Sequence, residues 1–117
     1  MIELYGLKNC STCRKARQWL EEAGLDYQFI DVREQAPSAS QLQQWAQALG
    51  WQRLINKASQ TWRQLTENQK AQASAEHFVA LLQAFPSLMK RPLLQSSKHG
   101  YLLGFKPEQY QAFFSNH

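Results

Sequence analysis

The sequence predicts one α/β domain over residues 1–117, in which a β-α-β unit and a β-β-α unit share a single sheet and a helical segment is inserted between them. Three observations lead there. Residues 2–32 alternate between strand-like, helix-like and strand-like patterns, residues 93–114 hold two short strand-like runs and a helix, and the stretch between them carries only helical spacing. The 117 residues suffice for one hydrophobic core but not two. Hydrophobic residues make up 44% of the chain and charged ones 19%, which is the balance of a folded protein rather than a disordered one.

The elements follow in order. Residues 2–5 form the first strand, and Gly6 to Asn9 the loop after it. From Ser11 onward Cys13, Ala16, Leu20 and Ala23 fall on one side of a helix with Trp19 beside them, and Gly24 stops it. Residues 27–32, rich in aromatic and β-branched side chains, form a second strand, and the crossover between the two should be right-handed and the pair parallel. Ser38 or Ser40 caps a second helix with Leu42, Trp45, Ala46 and Leu49 at helical spacing, closed by Gly50. Residues 51–57 have no clear pattern. A short helix over 60–65 and a longer one over 74–84, with Phe78, Leu81, Leu82 and Phe85 in one stripe, complete the insertion, and Pro86 ends it. Residues 93–96 and 101–103 are strands joined by a turn at Ser97-Lys98-His99-Gly100, and Pro107 opens a last helix with Tyr110, Phe113 and Phe114. This order is that of the thioredoxin-like fold with a helical insertion between its two units.

Two cysteines separated by two residues, Cys10-Ser-Thr-Cys13, stand where the first strand hands over to the first helix. No apolar run is long enough to cross a bilayer, and the chain opens without a signal-like segment, so a cytoplasmic location is expected and no membrane partner. In that reducing compartment such a pair is reactive or metal-binding rather than a structural disulfide. A closed zinc site needs four ligands, and His77, His99 and His117 have no paired spacing, so no metal is expected. The net charge of +4 is modest, and its densest cluster, Lys8, Arg14, Lys15 and Arg17, surrounds the cysteines, where it serves a thiolate as well as a nucleic acid; direct nucleic-acid binding is not expected.

A helix N-terminus stabilises a thiolate through its unpaired N–H groups. Cys10 occupies that end, with Lys8 and Arg14 expected to lower its pKa further, while Cys13 shares the inward stripe of Ala16 and Leu20. Cys10 is therefore the expected attacking thiol and Cys13 the resolving thiol. A second constellation is Lys90-Arg91-Pro92: just before a strand in this fold, Pro92 is expected to be cis and to lie against the cysteine loop, with Arg91 reaching an anion there.

At Tyr5-Gly-Leu-Lys-Asn-Cys10-Ser-Thr-Cys13-Arg14-Lys-Ala-Arg-Gln-Trp-Leu20 the chain resembles the ArsC/Spx family, most closely its YffB-like branch. Leu54-Ile55-Asn56-Lys57, Lys90-Arg91-Pro92-Leu93-Leu94 and Leu103-Gly104-Phe105-Lys106-Pro107-Glu108 resemble the family's later signatures. The resemblance implies a thioredoxin-like fold and a thiol-dependent oxidoreductase that holds no bound cofactor and draws on glutathione or another thiol. Its partners would be a small thiol or protein disulfide and glutaredoxin or thioredoxin. Family arsenate reductases bind the oxyanion with arginines; the match keeps Arg91 but puts Asn56 and Phe105 in the other two places, which implies weak arsenate binding. The Spx relatives imply the rival reading, a redox-responsive regulator that binds RNA polymerase.

Overall fold

The computed structural model describes residues 1–71 and 74–115, and within them the chain divides into two compact units: residues 1–34 with 91–115, and residues 35–71 with 74–90. The first unit holds the whole sheet. Strand β1 (Ile2–Gly6) leads through a short loop to helix α1 (Ser11–Glu22) and strand β2 (Gln28–Asp31). The second unit carries α2 (Ala39–Leu49), α3 (Trp51–Leu54), α4 (Gln60–Gln64), α5 (Glu67–Ala71) and α6 (Ala75–Ala84), then a 3-10 turn at Pro86–Leu88. The chain returns to the first unit as β3 (Leu93–Ser96), β4 (Gly100–Leu103) and α7 (Pro107–Ser115).

The sheet order is β2-β1-β3-β4, with β1 parallel to β2 and the other neighbours antiparallel. In register Leu4 faces Phe29 on one side and Leu94 on the other. Leu4 and Tyr5 of this inner strand are both buried although they point opposite ways. Leu4, Ala16, Leu20, Leu94 and Tyr110 form the core of this unit, so α1 and α7 are held to the sheet by the same few side chains. Trp19 lies edge-on to Tyr110 at 5.5 Å and stacks on Phe114 at 5.8 Å. Helix α1 ends in a Schellman motif: Gly24 takes φ +71°, its N–H reaches the Glu21 carbonyl, and the Leu25 N–H reaches that of Leu20.

In the second unit Leu42, Trp45, Leu54, Leu82, Leu88 and Met89 are fully or almost fully buried. Ser38, not Ser40, caps α2, its hydroxyl accepting the Gln41 N–H at 3.1 Å. The patternless residues 51–57 become the one-turn helix α3 and an isolated bridge from Ile55 to Met89, and α5 has no counterpart among the expected elements. Both are too short for an apolar stripe to register in sequence, and α5 buries no side chain. None of the described helices is long and apolar enough to cross a membrane.

Candidate functional site at the start of α1

The loop between β1 and α1 is tied down before the cysteines are reached. Asp31, the last residue of β2, is buried; its carboxylate accepts the N–H of Lys8 at 3.0 Å, of Arg33 at 2.8 Å and of Glu34 at 3.3 Å. Burial raises its pKa, but those three N–H groups and the Lys8 ammonium outweigh it and hold the carboxyl below its usual range. A charge carried by β2 thus fixes the loop that delivers Cys10. The loop closes with the Cys10 N–H on the Leu7 carbonyl at 3.2 Å.

Cys10 is the N-cap residue of α1, extended at φ −93° and ψ 122°, and half-buried. No acidic residue occupies the first turn to oppose a negative charge. Burial alone raises its thiol; the nearby Cys13 N–H and thiol and the Arg91 guanidinium favour its ionised form and bring it below the ordinary value. Cys13, one turn on, is 0% exposed. Burial dominates there and, with the neighbouring Cys10 sulfur, pushes its thiol up to about 12, against weaker help from the Leu7 N–H and Arg91. One turn of helix therefore carries a thiol poised to ionise beside one held protonated.

The sulfur of Cys13 rests on Gly6. A Cβ at Gly6 would lie 2.5 Å from Cys13 Sγ, so β1 ends in glycine because the Cys13 sulfur occupies the space a side chain would take. The Arg91–Pro92 bond is cis, and the Pro92 carbonyl accepts the Gly104 N–H at 2.9 Å. The cis bond is the one the proline signal suggested, and Arg91, just before β3, bears on the Cys10 sulfur.

Two of the expected cations are placed differently. The Lys8 ammonium pairs with the Glu34 carboxylate at 2.8 Å, and Arg14 directs Nε to the Lys8 carbonyl at 3.4 Å. Arg17, of the same cluster, donates to the Tyr27 hydroxyl at 3.1 Å and covers the Phe29 ring at 4.3 Å. The cation bearing on the Cys10 sulfur is Arg91, distant in sequence, rather than Lys8 nearby. Sequence proximity misled because Asp31 and Glu34, absent between Glu3 and Glu21, arrive from β2 and the turn after it.

Phe105, in the place of a family arginine, meets Tyr110 edge-on at 4.7 Å. Asn56, in the second unit, accepts the Ala58 N–H in its own turn. Among the described residues no cluster of three metal-ligating side chains forms: His77 Nε2 meets the Gln69 carbonyl, and His99 packs between Phe113 and Phe114. His117 lies outside the described residues.

Comparison with known proteins agrees with the geometry. Residues 5–113 match the ArsC family. A solved structure of a YffB protein is 39% identical and superposes with a TM-score of 0.88 over 96% of this chain and 97% of that one. An arsenate reductase (ArsC) related protein from Brucella melitensis is 38% identical, with a TM-score of 0.76 over 98% of this chain and 95% of that one. A global transcriptional regulator Spx 2 from Bacillus anthracis is 28% identical over 115 residues, 97% of this chain and 86% of the regulator.

Proposed function

This chain belongs to the ArsC family, and we propose that within it the chain acts as a thiol–disulfide reductase, with Cys10 attacking and Cys13 resolving. The observation that carries this reading is the placement of the two thiols, Cys10 half-buried at the N-cap position of α1 and Cys13 one turn on and fully buried, which lowers the first thiol and raises the second. The Cys10 thiolate attacks a substrate disulfide R–S–S–R′, forming Cys10–S–S–R and releasing R′S⁻. Cys13 then gives up its proton and attacks the Cys10 sulfur, forming the internal disulfide; RS⁻ leaves and takes up a proton. Two electrons have passed to the substrate. Glutathione or another thiol, free or carried by glutaredoxin or thioredoxin, returns them.

Arsenate is a poorer fit. Its oxyanion must be held beside a thiolate by several cationic donors, because the two negative groups repel until something neutralises them. Arg91 is one such donor; Phe105 supplies no charge and is engaged with Tyr110. Side-by-side assays with glutathione and glutaredoxin should give measurable reduction of a glutathione mixed disulfide and little of arsenate. Efficient arsenate turnover with no disulfide activity would overturn the choice of substrate.

The relationship to proteins named Spx supports a second reading, in which the same pair senses oxidants in a regulator that binds RNA polymerase. Retention of polymerase subunits on the immobilised protein, changing with its oxidation state, would favour that reading over turnover.

A further inference from the structure

A cavity of about 240 Å³ in the second unit is lined from α3, α4, α5 and α6. Its walls are aromatic: Trp51 stacks on Phe78 with ring centroids 5.4 Å apart and planes 22° apart, and Trp62 lines the same space. Its charges are of one sign. The Lys57 and Lys70 ammoniums lie 5.7 and 5.8 Å from the centre of the Trp62 ring, and among the described residues no carboxylate lines the cavity or pairs with either. Lys70 is half-buried, so its ammonium is partly stripped of water while it faces a ring rather than a counter-ion. The two cations are held in place. Helix α5 buries no side chain, yet Thr66 Oγ1 accepts the Gln69 N–H at 3.1 Å while Gln69 Oε1 accepts the Thr66 N–H at 2.8 Å, a reciprocal capping box, and His77 Nε2 on α6 meets the Gln69 carbonyl at 2.7 Å. What this turn of helix delivers is Lys70, the next residue. Lys57 Nζ donates to Gln52 Oε1 at 2.7 Å, which leaves the Gln52 amide N–H groups as further donors at the cavity.

We propose that this cavity binds a small aromatic carboxylate, its ring against Trp51, Phe78 and Trp62 and its carboxylate on Lys57 and Lys70. Two ammoniums gathered on one ring repel each other, and an anion beside both removes that cost. Size selects a single ring: an apolar cavity of about 150 Å³ takes up one benzene, so the space here holds one ring with its carboxylate. Drug-sized ligands occupy about 300–1,000 Å³. The same limit favours a flat carboxylate over a bulkier tetrahedral phosphate. The site lies wholly in the second unit and does not depend on the chemistry of the cysteines.

Benzoate is the probe, titrated into the full chain at millimolar concentrations while NMR follows the Trp62 indole N–H. It should shift that signal saturably. Benzylamine, with the same ring and the opposite charge, and acetate, with the same charge and no ring, should each bind about tenfold more weakly or worse, the scale of one hydrogen bond to a charged group. Lys57→Met and Lys70→Met keep an unbranched apolar side chain beside Trp62 and lose the charge; each should weaken benzoate by about that factor. Arg53→Met, which removes a cation of the same unit outside the cavity, should leave the affinity unchanged. Benzylamine binding as well as benzoate, or both lysine variants binding like wild type, would overturn the carboxylate's role. Acetate binding as well as benzoate would overturn the ring's, and no saturable shift with benzoate would overturn the site. If either lysine variant does not fold, added salt should weaken benzoate binding to the wild type, and binding indifferent to salt would count against the lysines.

Discussion

Helices α2, α4 and α6 of the second unit and helix α1 of the first begin in the same way and serve different ends. Ser38, Ser59 and Ser74 each accept, through the hydroxyl, the N–H three residues on, of Gln41, Trp62 and His77. In α1 the N-cap residue is Cys10, whose side chain makes no such bond, and the Cys13 N–H three residues on instead favours the Cys10 thiolate. A hydroxyl cap stabilises its helix at any pH; a thiol does so mainly as the thiolate. The same slot in the backbone therefore holds a bonded hydroxyl cap where it carries serine and a lowered thiol where it carries cysteine. The comparison shows that the perturbed thiol needs no unusual backbone, only a sulfur in an ordinary cap with Arg91 added.

The largest expected effect exchanges the two kinds of cap. Cys10→Ser should abolish adduct formation with a small disulfide, while Cys13→Ser should accumulate a stable mixed disulfide on Cys10; mass spectrometry reads both. Adducts of equal yield on the two variants would mean that the caps differ less than the geometry implies. Next in size is Arg91→Gln, which removes the guanidinium from the Cys10 sulfur. The pH at which Cys10 alkylation half-saturates should rise by about one unit, the scale of a single nearby charge. Lys8→Ala should leave that profile in place, since the Lys8 ammonium already faces Glu34.

Gly6→Ala tests the other half of the pair. A methyl group 2.5 Å from Cys13 Sγ must displace the sulfur or the strand, at about 1–3 kcal/mol in chemical denaturation. The smallest effects are on the caps as caps. Ser38→Ala should lose about 1 kcal/mol at every pH. Cys10→Ser should gain a few tenths to about 1 kcal/mol at acidic pH, where the wild-type thiol is neutral and a weak acceptor. The sign follows from linkage: a thiol lowered by folding contributes stability above its unfolded pKa and loses it as pH falls through its folded pKa. The advantage of serine should therefore shrink as pH rises, and a gain independent of pH would mean the thiolate does not occupy the cap.

The sequence by itself determined the order of elements and the placement of both cysteines at the start of α1. Alternation and helical spacing are local properties, so residues 2–32 and 93–114 read correctly, and the spacing of Cys10 and Cys13 put one at the N-cap position and turned the other inward. Pro92 before a strand was legible for the same reason. Tertiary structure alone decided what surrounds the sulfurs. Arg91 lies 81 residues from Cys10 yet bears on its sulfur, Asp31 reaches back across the β1–β2 pair to the Lys8 N–H, and Glu34 takes the Lys8 charge that looked free. Gly6 read as a loop residue until the fold set it against the Cys13 sulfur. Dihedral preference and burial pattern act over a few residues and leave a trace in sequence. Which charges and hydroxyls meet across a sheet depends on strand order and register, which no short window contains.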